Sequence, residues 1–370
     1  MMQRPPAEPG MDESEIDTPA AIIDLDAIEA NMDRMAAFCR QANVRLRPHA
    51  KTHKSPVIAH WQIERGAIGQ CVQKPAEAEV LAWSGVRDIL VSNEVVSRQK
   101  LARLAALARM ADVAVCADNP QALDAIEGAA QAAGTRMRVL VEIDVMGVRC
   151  GVEPGPEAVA LARRIATSRH LVFAGLQSYQ GVAQHLREEE QRRESVADAT
   201  RKTAATVEAL RNAGLSCDIV GGAGTGTFAY EAGSGVYNEL QAGSYIFMDA
   251  DYALNRPCPE FAQSLFVLST VMSTPRDGTA VLDCGHKGVA VDSGLPLVFG
   301  RPDIACVGAS DEHGTLALRG AAAGSLAIGE MLRLLPGHCD PTVDRYDWYV
   351  GMRGKRVECV FPVAGRGMMQ

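Results

Sequence analysis

Eight short strand-like runs, most of them separated by helical windows, constrain this chain more than any other feature of its sequence. They lie at VRLRPHA (44–50), AIGQCVQ (67–73), DILVSN (88–93), VAVCAD (113–118), RVLVEID (138–144), VFAGLQSY (172–179), CDIVGG (217–222) and YNELQAG (237–243). The window PVIAHWQIERG (56–66) shows the intervening pattern, with Pro56 in the first turn and Gly66 as the stop. Eight strands with crossover helices is the count of a (β/α)₈ TIM-type barrel. A doubly wound sheet also alternates, but it seldom needs eight strands, and no GxGxxG follows the first run.

Outside these runs the texture changes. Beyond about residue 258, SLFVLSTVMS, GTAVLDCG and KRVECVFPV are short, β-branched and punctuated by Gly, Pro and Asp. The expected organisation is a Pro- and acid-rich flexible tail (1–17), the barrel (18–258) and a β-rich domain (259–370). The early run AAIIDL (20–25) precedes the barrel and is free to pair with it or with the β-rich domain; Asp24 or Asp26 then caps a helix carrying Ile28, Met32, Met35 and Cys39.

Composition excludes several functions. A net charge of −8 disfavours nucleic acid and anionic membranes as partners. No apolar run approaches the length of a membrane span, and the first residues lack the apolar core of a signal peptide. Ten cysteines without a CxxC pair read as reduced thiols, which points to the cytoplasm.

If the chain is a barrel, its chemistry belongs at the C-terminal ends of the strands. RPHAKTHKSP (47–56) crowds nitrogens at the first of these ends. Arg47, His49 and Lys51 alternate onto one face, which aims Lys51 at the barrel mouth. A solvated lysine ahead of a helix is the plain alternative; Lys54, beside the Ser55-Pro56 helix start, is expected to face solvent. The seventh run ends in GGAGTGT (221–227), where Gly222, Gly224 and Thr225 can approach an anion, and Gly243-Ser244 follows the eighth. The sixth ends in Gln177 and Tyr179, with His185 beyond, and Arg149 follows the fifth. A mouth-facing lysine opposite a phosphate cradle is what a pyridoxal phosphate enzyme needs, although a glycine cluster is also an ordinary turn.

A second grouping lies in LLPGHCDPT (334–342), where His338 and Asp340 are two apart and share a side in extended chain. One imidazole and one carboxylate suit Mn²⁺ or a similar divalent ion, with Asp311 and His313 of DEHG as supporting candidates. A bare HxD is common, and a plain turn before Pro341 is the alternative. No second Cys/His pair has the spacing of a structural zinc site.

The ordered set RPHAK, QK-x-x-EAE (73–79), VSNEVV, Arg149-Cys150-Gly151-Val152, FAGLQSYQG, GG-x-GTGT, ELQAGSY-x-FMD-x-DY, DEHG and PGHCDPT…DWYV resembles the D-threonine aldolase family. That family includes 3-hydroxy-D-aspartate aldolases and falls in the alanine-racemase-like fold group of pyridoxal phosphate enzymes. The resemblance runs from about residue 10 to the end of the chain. It implies that Lys51 holds pyridoxal 5′-phosphate, that His338 and Asp340 bind a divalent metal (Mn²⁺ foremost, with Mg²⁺, Co²⁺ or Zn²⁺ as others), and that His185 is the base for the substrate hydroxyl. Arg149 and Tyr179 then line the cofactor, and Gln241 offers a neutral amide where alanine racemases place an arginine. The implied reaction is retro-aldol cleavage of a D-β-hydroxy-α-amino acid to glycine and an aldehyde, in a homodimer. Rivals are a D-serine or 3-hydroxy-D-aspartate dehydratase of the same fold, whose relatives carry His-x-Cys rather than His-x-Asp, and a non-catalytic cofactor carrier. Two departures stand out: the phosphate loop reads GGAGTG where relatives often have three glycines, and His286 stands where leucine is usual.

Overall fold

The computed structural model describes residues 3–320 and 326–370. Strand β1 (Ala20–Asp24) is followed by eight strands of one parallel sheet: β2 (Arg45–Leu46), β3 (Gln70–Val72), β4 (Asp88–Glu94), β5 (Asp112–Ala117), β6 (Met137–Glu142), β7 (Leu171–Gln177), β8 (Ile219–Gly222) and β9 (Glu239–Leu240). Their spatial order is β2-β9-β8-β7-β6-β5-β4-β3. The two ends of that order meet through a parallel bridge between His49 and Cys71, with Cys71 N donating to Pro48 O and Ile68 N to Leu46 O, both at 2.9 Å. The sheet is therefore a closed eight-stranded barrel. Each of the eight expected runs overlaps one of these strands.

Alternation along the strands sorts the side chains. Val72, Ile89, Val91, Val113, Val115, Val139 and Val141 point outward under the helices. Cys71, Leu90, Ala114, Cys116, Leu140, Ala174 and Ile219 fill the barrel interior. Below that layer, Arg47 is 1% exposed and pairs with Glu239 at 2.9 Å and Asp88 at 2.8 Å. Arg138 completes this buried network through Asp88. Arg47 therefore does face the barrel axis, but it plugs the closed end, while His49 and Lys51 lie nearer the mouth.

The remaining strands build a second, antiparallel unit: β10 (Leu265–Ser273), β11 (Thr279–Leu282), β12 (Leu297–Val298), β13 (Ile304–Ala309), β14 (Gly314–Leu318), β15 (Met331–Leu335), β16 (Trp348–Arg353) and β17 (Arg356–Pro362). Their sheet has the order β11-β14-β13-β12-β15-β10-β1-β16-β17, and a β10–β11 pairing curls it closed. Strand β1 lies here, antiparallel to β10 and parallel to β16. Asp24 then caps the helix Leu25–Ala42 by accepting from Ala27 N at 3.0 Å.

The N-terminal segment, expected to be a flexible tail, is docked on this sheet. Ala7 and Ile16 are buried, Gly10 N donates to Val357 O at 2.8 Å, and Glu13 pairs with Arg333 at 2.7 Å. Apolar side chains spaced among its polar residues supply the anchorage.

A shared core joins the two units: Ile23, Met32, Met35, Ile58, Ala242, Tyr245 and Phe247 pack with Cys339, Tyr349 and Phe361. Polar pins cross the same boundary. Tyr349 OH donates to His53 O at 2.9 Å, and Lys54 Nζ reaches Asp344 at 2.7 Å and Glu77 at 3.4 Å. Lys54 is thus 8% exposed rather than solvent-facing. Its left-handed φ of 50° turns the side chain inward, away from the helix surface where sequence proximity to Pro56 would put it.

Candidate active site

A cavity of about 80 Å³ opens at the C-terminal ends of the barrel strands. Nine of the residues singled out in the sequence line it: Lys51, Arg149, Gln177, Tyr179, Gly224, Thr225, Gln241, Gly243 and Ser244. They come from segments after β2, β6, β7, β8 and β9, and only barrel closure brings them together. Gly222 stands one step behind the wall. A Cβ there would lie 2.1 Å from Ser178 O, so no other residue lets β8 pass that strand.

Lys51 Nζ pairs with Asp340 Oδ2 at 3.1 Å, across the junction between the barrel and the β-rich unit. The Asp340 carboxylate holds Lys51 above its ordinary pKa even though burial opposes the charge. Burial alone would raise Asp340, but Lys51 and His338 outweigh it and hold the acid below the usual range. Asp340 Oδ1 is buried and makes no hydrogen bond of good geometry, so the carboxylate keeps a free lone pair for a cation. Beside it, burial raises Asp249 to about 6 against hydrogen bonds from Tyr252 N (2.9 Å) and Cys339 N (3.3 Å). His338 sits on the rim, its Nδ1 2.7 Å from Asp292. The His338 charge acts on both Asp340 and Asp249, so an imidazole and two carboxylates adjoin here, residue types that suit a hard or borderline divalent ion.

The opposite wall fits a phosphate. Thr225 Oγ1 is buried and has no partner, and backbone glycines flank it. A Cβ at Gly243 would lie 2.7 Å from Thr52 Oγ1, and one at Gly224 2.4 Å from Gln184 Oε1. At Gly243 the backbone His49 O is also 2.8 Å from such a Cβ, so only glycine lets that loop approach so closely, whereas at Gly224 it is the Gln184 amide that would have to shift. Ala223 is the departure from a triple glycine, and it holds φ 73° while buried.

Around the centre, Gln177 and Gln241 exchange amide hydrogen bonds of 2.8 and 2.9 Å. The Arg149 guanidinium lies 5.3 Å from the Tyr179 ring centroid and pairs with Glu142 at 2.9 Å. His49 bonds Gln73 at 3.1 Å and Ser92 at 3.2 Å; burial, then the Lys51 charge, keeps it neutral.

His185 stands outside the cavity wall with its ring 62% exposed. Its Nδ1 is 2.8 Å from Asp251, and it stacks 6.3 Å from Tyr252, which does line the cavity. Asp311 and His313 are not brought to the Asp340 rim. Asp311 is 70% exposed and pairs with His286 at 2.9 Å, and neither residue lines the cavity. Their place in a hairpin turn between β13 and β14 carries them to the surface. Lys287 is occupied by Glu312 at 2.6 Å. The sequence reading passed over Thr52, Gln73, Ser92, Asp249, Asp251, Tyr252 and Asp292. Asp249, Asp251 and Tyr252 had a signal, FMDADY, and Gln73 and Ser92 lie in the motifs QK-x-x-EAE and VSNEVV; Thr52 and Asp292 are single polar residues to which the motifs gave no role.

Comparison with known proteins agrees with this geometry. The family model for the alanine racemase N-terminal domain matches residues 23–251, and one for a serine dehydratase domain matches residues 264–352. A 3-hydroxy-D-aspartate aldolase of Paracoccus denitrificans (strain Pd 1222) is 44% identical over 98% of this chain and 95% of its own. The chain belongs to the D-threonine and 3-hydroxy-D-aspartate aldolase family. A D-threonine aldolase of Arthrobacter sp. is likewise 44% identical, over 98% of this chain and 96% of its own. The crystal structure of D-threonine aldolase from Filomicrobium marinum superposes with a TM-score of 0.97 at 48% identity, covering 100% of both chains. The alanine-racemase-like barrel with its antiparallel partner is thus the family's architecture as well as this chain's. Among the described residues, no helix is long and apolar enough to cross a membrane.

Proposed function

We propose that this chain is a pyridoxal phosphate- and divalent-metal-dependent aldolase that cleaves D-β-hydroxy-α-amino acids to glycine and an aldehyde. One observation carries the reading: Lys51 faces the phosphate-fitting loops and is paired across the junction with Asp340, so cofactor and metal positions adjoin. Pyridoxal phosphate, when bound, supplies an aldehyde for a lysine amine and an electron sink for the pair released at Cα. Lys51 would be the amine that anchors it; Thr225, Gly224, Gly243 and Ser244 would hold its phosphate, and Gln241 and Arg149 are the groups offered to its ring. His338 and Asp340 would hold the metal, with Mn²⁺ first and Mg²⁺, Co²⁺ or Zn²⁺ as others; bound there, it would acidify a substrate hydroxyl.

The protein's own groups then divide the work. Asp251 orients His185 through Nδ1, and Nε2, beside the cavity-lining Tyr252 at the outer edge, is the proposed acceptor of the β-hydroxyl proton, reached through a bridging water. As that oxygen becomes a carbonyl, the Cα–Cβ bond breaks and the aldehyde departs. His49, kept neutral, and the Gln177–Gln241 pair add no net charge to the cavity floor.

A dehydratase would instead expel the hydroxyl. Cys339, which stands between the two proposed ligands, is fully buried in the shared core, which supports His-x-Asp rather than a cysteine-containing pair. Incubation of purified protein, pyridoxal phosphate and Mn²⁺ with D-threonine or 3-hydroxy-D-aspartate tests the reading. Acetaldehyde or glyoxylate with equimolar glycine is expected. Keto acid and ammonia as sole products would replace it with the dehydratase, and equal cleavage of L-threonine would refute the D configuration. His286 and Lys287 already have carboxylate partners, so neither stands free to bind a second substrate carboxylate.

We further place the boundary between barrel and β-rich domain near residue 258 and propose a homodimer, which light scattering after gel filtration would check. Ten unpaired cysteines suit a reducing compartment such as the cytoplasm.

A further inference from the structure

The loop that carries Arg149 starts from a strand end with an unusual acidic pair. Glu142, the last residue of β6, is 3% exposed. One carboxylate oxygen accepts from Arg149 Nη2 at 2.9 Å; the other, Oε2, is buried without a partner. Glu94, at the end of β4 on the far side of β5, has a buried unpartnered oxygen as well, Oε1, and the two carboxyls are in hydrogen-bonding proximity. Two ionised carboxylates offer acceptors only and cannot satisfy each other. One proton between them turns two orphaned oxygens into a hydrogen bond.

We propose that Glu142 is a positioning residue that fixes the Arg149 guanidinium over Tyr179 at the cofactor cavity, and that Glu94 sets its grip by sharing a proton with it. The inference rests on the reading of that cavity as the pyridoxal phosphate site.

The surroundings leave few other charges to act. Cys116, on β5 between the two strands, is fully buried, and Cys150 follows Arg149; burial pushes both thiols up, Cys150 to about 12, so both stay neutral. Asp118 is the remaining acid: its carboxylate lies within 4.8 Å of Glu94 and Cys150, and it accepts from Gly151 N at 3.1 Å and Asn119 Nδ2 at 2.7 Å. Arg149 is the facing cation. Burial, and next the Glu94 charge, raise Glu142 to about 8, against the pull of Arg149.

The sign follows. Below that range the pair holds one proton and one net negative charge, which Arg149 balances while still presenting its other nitrogens to the cavity. Above it a second negative charge appears beside Arg149. The cavity then loses positive potential towards an anionic cofactor, and the guanidinium is drawn to the acids.

The test uses the cofactor-loaded enzyme and reads the rate of cofactor loss into a trapping solution from about pH 7 to about pH 9.5. Wild-type protein should lose cofactor several-fold faster at the alkaline end. Glu94→Gln removes the second acid and leaves burial and Arg149 to set Glu142, so its inflection should move to lower pH. Glu142→Gln exchanges a charge-assisted hydrogen bond for a neutral one, so loss should be about tenfold faster near neutrality. The Lys51 linkage is common to all three proteins, so differences between them isolate the pair. Wild-type rates in Glu142→Gln, or an unchanged inflection in Glu94→Gln, would overturn the inference. Should Glu142→Gln fail to fold, the less buried Glu94→Gln decides alone. Wild-type protein that takes up no cofactor would sink the proposed function instead, which is a separate outcome.

Discussion

Replacing Lys54 by methionine separates the two lysines that sequence proximity confuses. The stem would keep its packing, but the ammonium that bridges Asp344 at 2.7 Å and Glu77 at 3.4 Å would be gone. Breaking one partner out of a buried ion pair commonly costs about 3–5 kcal/mol, because the other charge is left uncompensated. Here the penalty is softened. Glu77 Oε2 accepts from Gln73 N at 2.9 Å and Lys74 N at 3.1 Å, and Asp344 Oδ1 accepts from Gly367 N at 2.9 Å. A loss of about 2–3 kcal/mol is the expectation. For 370 residues, an unfolding entropy of about 2.1 cal/mol/K per residue converts that to a fall of about 3 °C in Tm. Differential scanning fluorimetry resolves such a shift. Adding Asp344→Asn to Lys54→Met should recover part of it, since the stranded charge is removed. The visible absorbance of the lysine-bound cofactor should persist. A melting point within about 1 °C of wild type would refute the account of Lys54 as a buried pin between the two units.

Lys51→Ala should abolish the visible absorbance that Lys54→Met retains; retained absorbance would reassign the anchor. Chelation should remove lyase activity while the cofactor stays bound, and Mn²⁺ should restore it, since the proposed ligands His338 and Asp340 lie in the segment after β15 and the phosphate loops lie in the barrel. Full activity in excess chelator would eliminate the metal role. Ala223→Gly relieves a left-handed alanine worth about 1–2 kcal/mol but forfeits a buried methyl of about 0.8 kcal/mol and about 0.5–1 kcal/mol of backbone entropy. These nearly cancel, so Tm and cofactor affinity should both stay close to wild type; a large change in either would show that the missing third glycine matters.

How legible was this protein? The eight barrel strands were, because a parallel sheet covered on both faces needs short, near-continuous apolar runs, and little else in a chain looks like them. Lys51, Gly224, Thr225, Gly243 and Ser244 were legible for a related reason: in a barrel, whatever follows a strand's C-terminal end is at the mouth. His338 and Asp340 are a two-residue pattern that local physics could not separate from a turn; only the ordered motifs along the whole chain single them out as proposed metal ligands.

The rest needed the tertiary structure, since it depends on elements remote in sequence. β1 precedes the barrel yet pairs with β10 and β16, more than two hundred residues downstream. Burial decides the partners of ionisable groups in the same way. Arg47 and Lys51 lie on one alternating face, but barrel closure sends Arg47 down to Glu239 and Asp88 and leaves Lys51 at the mouth beside Asp340. Lys54, three residues further on, is turned by one left-handed backbone angle into a buried ion pair. Periodicity along the chain records which side chains share a face. How far each sits from water, and which charge it meets there, depends on closure and on docking of the second unit, and no local window of sequence contains either.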